Sequence, residues 1–223
     1  MSVKFYKSEN QVPLEMHKVR VVQKLNLLPV DERLRAIQKA GNNTFLLENK
    51  DIYIDMLTDS GVNAMSDRQT AAMHLADDSY AGSQTFARLK AALKEVFGTD
   101  NVLPAHQGRA CENILAERFV KPGMVAIMNF HFTTTKAHVT RCGGEVVEVL
   151  HKKGLIPQSD DPFKGDMDLQ ELRRVIEQYT PEKVAYVRVE AGTNLIGGQP
   201  VSLENMLAVA DICHEYGVPS ILD

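Results

Sequence analysis

The chain has 223 residues, 44% of them hydrophobic and 24% charged, with 25 Lys and Arg against 29 Asp and Glu, a formal net charge of −4. That length holds one large domain, or one and a half, and can bury a core without disulfide or metal staples. The slight acidic balance disfavours nucleic acid as a partner, and no apolar run is long enough for a membrane-spanning helix.

In chain order, residues 1–65 read as irregular apart from one helix, with Asp31 as its cap, 32–39 as its body and Gly41 as its stop. A second helix is predicted over about 84–97, where Phe86, Leu89, Leu93 and Phe97 recur at helical spacing. Val102 and Leu103 read as a short strand and 109–120 as a helix. The apolar run Met124–Met128 is a strand, 134–141 a helix, and Val146–Val147 with their neighbours another strand. Asp168 caps a helix that runs to about Tyr179, Val184–Val189 is a strand, 203–216 a helix and Val218–Leu222 a last strand. Apolar runs alternating with helices imply crossover connections and a mostly parallel sheet covered on both faces. The fold class is α/β.

Cys111, Cys142 and Cys213 are few and far apart, without a C-x-x-C pair, and read as buried thiols of a reducing compartment. The N-terminal stretch mixes charges with scattered apolar residues and shows no signal-peptide core. The expectation is a cytoplasmic globular protein without a membrane partner. Seven histidines show no H-E-x-x-H or similar metal spacing.

In open α/β sheets, ligands bind beyond the carboxyl ends of the strands, so the residues after each strand carry the functional information. Gln107-Gly108-Arg109 opens a helix and offers backbone N–H groups, a close-approach Gly and a cation, which is a phosphate cradle or an ordinary strand–helix turn. It is neither G-x-G-x-x-G nor a Walker loop. Phe132, beside Thr133, Thr134 and Thr135, suits stacking on a flat ring, or a core aromatic next to a helix cap. Asn194 precedes the Gly197-Gly198 turn, and Asp223 ends the last strand as a cap or as a carboxylate facing a ring nitrogen. Together these four segments outline a pocket for a phosphorylated, nitrogen-containing aromatic cofactor.

Long runs in one order resemble the aromatic amino-acid β-eliminating lyases, the family of tyrosine phenol-lyase and tryptophanase. The runs are 51–61, 64–69, Tyr80–Ser83, His106–Arg109, Phe132–Thr135, Phe163–Gly165, Gly197–Ser202 and Ile221–Asp223. Leu28–Leu34 and Thr133 look closer to tyrosine phenol-lyase. The resemblance implies a fold-type-I, aspartate-aminotransferase-like domain that uses pyridoxal 5′-phosphate. Residues 1–65 would be an N-terminal arm with part of a small domain, and 66–223 the first part of the large cofactor-binding domain. By the same resemblance Gln107, Gly108 and Arg109 hold the cofactor phosphate, Phe132 stacks on its ring, and Asn194 lies by the ring 3-oxygen and the substrate carboxylate, helped by Thr58 and Ser60. Asp223 keeps the ring nitrogen protonated, Tyr80 is the general acid and Thr133 bonds the phenol oxygen. Gly61 and Asp78 match a monovalent-cation site for potassium; Asp78 is one methylene shorter than the family's usual Glu. Trp is absent, Thr70 stands where the family commonly has one, and Glu190–Thr193 departs from the phenol-lyase pattern before the Asn.

Family members continue past the ring-nitrogen Asp to the Schiff-base Lys, a substrate-clamping Arg and a small domain. No Lys here matches that position; Lys136 and Lys164 read as surface residues. The expectation is therefore a lyase half, oligomeric as in the family's tetramers, that needs a complementary C-terminal chain, the alternative being a truncated product that lacks its own C-terminal portion. It would convert L-tyrosine to phenol, pyruvate and ammonia. Tryptophanase-type indole release, another fold-type-I reaction, and a non-catalytic cofactor-holding or oligomerisation module are the alternatives.

Overall fold

The computed structural model describes residues 2–4, 11–13, 25–57 and 65–223. The chain divides into two compact units, Met1–Phe86 and Ala87–Asp223. In the first, β1 (Ser2–Lys4) pairs antiparallel with β2 (Gln11–Pro13). Two helices follow, α1 (Val30–Lys39) and α2 (Asp67–His74). Asp31 does not cap α1. Pro29 holds the N-cap position with φ already near the helical value, and Asp31 sits in the first turn, paired with Arg35 at 3.1 Å. Gly41 does stop the helix, in the left-handed region at φ +66°. Ser66 caps α2 by accepting from the Gln69 N–H at 3.0 Å.

Helix α3 (Gln84–Phe97) forms where its periodicity predicts, but it carries no buried residue. No strand forms at Val102–Leu103. The chain from 99 to 107 is irregular, because no neighbouring strand presents a ladder for two apolar residues to join.

The Ala87–Asp223 unit continues with α4 (Gly108–Phe119), β3 (Val125–Met128), α5 (Thr133–Arg141), β4 (Glu145–Glu148), α6 (Leu169–Tyr179), β5 (Val184–Val189), α7 (Leu203–Tyr216) and β6 (Ser220–Leu222). The four strands form one parallel sheet in the order β4-β3-β5-β6. All of β3 and β5 is buried, whereas β4 and β6, at the edges, are partly exposed. Side-chain alternation divides the core in two. Val125 and Ile127 join Leu172, Val175 and Ile176 of α6 and Val209 and Ile212 of α7 on one face. Ala126 and Met128 join Ala116 of α4 and Val139 of α5 on the other.

Strand β5 breaks its alternation once. Val125 pairs with Val184 but Ala126 pairs with Tyr186, so Ala185 is an extra residue, bulged out of the ladder. Ala185 and Tyr186 therefore both face α4 and α5, and Val187 and Val189 face α6 and α7. Arg188, two residues after Tyr186, falls on the α4 side.

The cap predicted for α6 is present, and α7 has one that the sequence reading did not name. The Asp168 carboxylate accepts from the N–H groups of Gln170 (3.1 Å) and Glu171 (3.0 Å), and Ser202 caps α7 through Asn205. No helix of the described residues is long and apolar enough to cross a membrane.

Candidate functional site

Helix α5 begins just after β3, and α4 runs back into that strand, so both helices start at the sheet's carboxyl edge. Neither start is capped by a side chain, and neither has an acid in its first turn. The exposed N–H groups and the helix dipole therefore favour an anion there. Gln107 is the N-cap of α4 in an extended conformation, and Gly108 and Arg109 are its first residues; all three are exposed. A Cβ on Gly108 would meet nothing within 4 Å. Phe132 is the half-buried N-cap of α5, and Thr133 is its exposed first residue.

These loops meet at a buried ionic cluster. The Arg188 side chain, 5% exposed, donates from Nε to Asp223 Oδ2 at 3.1 Å, and Nη2 contacts the same oxygen. Its Nη1 reaches Glu190 Oε2 at 3.4 Å, and Nη2 lies 3.7 Å from Glu112 Oε1. Glu112, one turn into α4 on the stripe that leads to buried Ala116, also accepts from the hydroxyls of Thr134 and Thr135. Glu190 Oε1 accepts from the Asn194 backbone N–H at 3.1 Å. The register explains why Asp223 arrives here. Ile221 lies opposite Arg188, and Asp223, two residues on, projects to the same side. Buried charges persist only when paired, and here one cation is shared among three carboxylates.

A second lock holds the turn after β5. Asn129 is fully buried; its Nδ2 donates to the carbonyls of Gly165 and Glu190, both at 2.9 Å, and its Oδ1 accepts from the Glu190 N–H at 3.0 Å. Gly165 packs so closely that a Cβ would fall 2.7 Å from the Gln199 carbonyl and 2.8 Å from Thr193 Oγ1. Gly197 and Gly198, at φ +91° and +68°, then turn the chain as only glycine does readily. The exposed Asn194 side chain is displayed on this fixed turn.

Thus Gln107, Gly108, Arg109, Phe132, Thr133, Asn194 and Asp223 all lie on segments tied to one cluster within Ala87–Asp223. Tyr80 and Asp78 belong to the Met1–Phe86 unit, where both are exposed. Thr58, Ser60 and Gly61 lie outside the described residues. Among the described residues no three His, Cys, Asp or Glu groups stand close enough to hold a metal. The sequence reading missed Glu112, Arg188, Glu190 and Asn129. Arg188 left a signal, a lone charge inside an otherwise apolar strand that demands a partner.

Residues 55–223 match the family model described as "Beta-eliminating lyase". The tyrosine phenol-lyase of Nostoc punctiforme (strain ATCC 29133 / PCC 73102) is 44% identical over 209 residues, which make up 94% of this chain and 45% of that protein. The tyrosine phenol-lyase of Clostridium tetani (strain Massachusetts / E88) is 41% identical over 214 residues, 96% of this chain and 46% of that one. The chain thus spans a little under half the length of these curated relatives. Among solved structures, N-succinyldiaminopimelate aminotransferase from Mycobacterium tuberculosis aligns with a TM-score of 0.52 at 21% identity, over 69% of this chain and 40% of that chain. The SepCysS–SepCysE N-terminal domain complex aligns with a TM-score of 0.50 at 18% identity, over 70% of this chain and 40% of that chain. These likenesses show the fold, part of a fold-type-I aminotransferase-like domain.

Proposed function

We propose that this chain, which belongs to the beta-eliminating lyase family, forms the cofactor-holding part of a pyridoxal-phosphate-dependent carbon–carbon lyase that splits L-tyrosine, with one water, into phenol, pyruvate and ammonia. The observation that carries the reading is the Arg188 cluster, which draws the α4 start, the α5 start, the Asn194 turn and Asp223 to one place. Curated relatives with the name tyrosine phenol-lyase support the choice of substrate.

The residues present fit the cofactor. An uncapped helix start with Arg109 beside it suits a phosphate, and the half-buried Phe132 offers an aromatic face. Asp223 keeps Oδ1 without a protein partner among the described residues, open to a ring N–H. When bound, pyridoxal phosphate supplies an electron sink for the pair left at the substrate Cα. In this reading Gln107, Gly108 and Arg109 bind the phosphate and Phe132 holds the ring plane. Asn194 orients the ring 3-oxygen and the substrate carboxylate, with Thr58 and Ser60. The Asp223 carboxylate keeps a proton on the ring nitrogen, because an adjacent anion favours the charged form. Thr133 holds the phenol oxygen, and Tyr80 delivers a proton to the aromatic carbon as the ring departs.

Residues 1–65 serve as arm and part of a small domain, and 66–223 begin the cofactor domain. The lysine that bonds the cofactor comes from the complementary portion, in the same or a second chain of an oligomer. Potassium, if bound, is held by Gly61 and Asp78. Three unpaired cysteines support a cytoplasmic, reducing location.

The test is cofactor binding followed by product analysis. Pyridoxal phosphate is titrated into the purified protein by equilibrium dialysis, and L-tyrosine is then added in the presence of the complementary portion. Binding that falls at least tenfold in Arg109→Ala, with phenol and pyruvate in equal amounts, is the expected result. Indole from tryptophan in place of phenol would reassign the leaving group, and binding without pyruvate would leave a cofactor-holding module. No binding would overturn the reading.

A further inference from the structure

We propose that Arg188, acting with Glu190, is a positioning residue that sets Asp223 and Asn194 as one unit, so that the two groups on the cofactor's edge are aligned before it binds. The inference rests on the cofactor reading above and adds residues that reading does not use. Arg188 grips Oδ2 of Asp223, and Oδ1 has no partner among the described residues. On its far side, the same guanidinium meets Glu190 Oε2, while Glu190 Oε1 receives the Asn194 N–H. The planar fork of Arg can serve two carboxylates at once in fixed directions, which a Lys ammonium cannot.

Burial and charge support a purpose beyond packing. Arg188, Glu112 and Glu190 are only 5%, 12% and 10% exposed, so the guanidinium and both glutamates lie below the surface. Three carboxylates against one guanidinium leave a formal excess of two negative charges. A cluster serving stability alone gains nothing from that imbalance. A proton on a ring nitrogen beside Asp223 supplies a further positive charge, so the same imbalance favours a protonated ring there.

The experiment compares the whole protein with Arg188→Lys, Glu190→Gln and Asp223→Asn, using pyridoxal phosphate itself as the probe. Two readouts are taken: the dissociation constant from dialysis, and the pH titration of the bound cofactor's absorption band. Melting temperature controls for folding. Arg188→Lys is expected to bind about tenfold more weakly, with the band losing its proton at lower pH than in the wild type. Glu190→Gln, isosteric and one charge less negative, is expected to move the band in the same direction with a smaller loss of affinity. If Arg188→Lys fails to fold, Glu190→Gln decides. An unchanged band and affinity in the folded variants, alongside a clear change in Asp223→Asn, would overturn the positioning role and leave the cofactor reading standing. A wild type that does not bind, or an Asp223→Asn protein that behaves as wild type, would instead remove the cofactor reading.

Discussion

The side chain of Asn129 clasps the backbone of Glu190 from both sides, giving a hydrogen bond to its carbonyl at 2.9 Å and taking one from its N–H at 3.0 Å. An amide donates from its nitrogen and accepts at its oxygen, as a backbone peptide does, so Asn129 extends the pairing of β3 with β5 beyond the last residue of each strand. It thereby fixes the first residue of the turn that carries Asn194.

Replacing Asn129 with Leu fills similar space but strands three buried backbone groups. The expected cost is roughly 2–4 kcal/mol of unfolding free energy, since each orphaned group loses its water without a new partner. Urea unfolding of the variant against the wild type measures it. A loss below about 0.5 kcal/mol, typical of neutral surface changes, would show that the clasp is dispensable.

Gly165→Ala is expected to destabilise by roughly 1–3 kcal/mol through overpacking. The added Cβ would press on the backbone oxygens of Gln199 and Pro200 at 2.7 and 2.9 Å, neither of which moves without opening the turn. The same turn bears Asn194, so pyridoxal phosphate affinity should fall together with the melting temperature. A variant that melts as the wild type would mean that the turn yields.

Asp77 gives a prediction at low pH. Its carboxyl is held at about 2, against an ordinary 3.8, chiefly by the Ser83 hydroxyl and next by the Thr85 backbone N–H. Because the folded value is depressed, the charged form contributes stability that is complete above about pH 4 and disappears as pH falls through about 2. Asp77→Asn should therefore flatten the stability curve across that interval and leave it parallel to the wild type at neutral pH. Denaturant midpoints at several acid pH values give the slope, and equal slopes would refute the assignment.

The cysteines should react in order of exposure. Cys111 is exposed and Cys142 half-buried, while burial pushes the Cys213 thiol up to about 11. At neutral pH a thiol reagent should modify Cys111 first, Cys142 more slowly and Cys213 only on unfolding. Peptide mass analysis over time reads the order, and early labelling of Cys213 would mean that α7 opens readily.

Much of the sheet is legible in the sequence because burial writes directly into composition. The runs Met124–Met128 and Val184–Val189 are apolar because both faces are covered, and Asp168 announces α6 through its own cap. Val102–Leu103 misleads, since two apolar residues resemble a strand until a partner is required. The spacing of Phe86, Leu89, Leu93 and Phe97 likewise gives the helix correctly but not its burial, because a pattern specifies a face and not what covers it. The residues at the strand ends are visible as local oddities. The ionic cluster beneath them is not, because Glu112, Arg188 and Asp223 become partners only through the order in which the strands assemble.

The single extra residue in β5 has a consequence for any redesign of this strand. Odd and even positions exchange sides at Ala185, so Val184 and Tyr186, which a plain strand would direct the same way, look in opposite directions. Were the strand ironed flat with its length unchanged and its first residue fixed, the guanidinium would swing into the aliphatic layer against α6 and α7, and the carboxylates would be left without their counter-ion. One small alanine, displaced from the ladder, thus decides on which side of the sheet this protein keeps its charge.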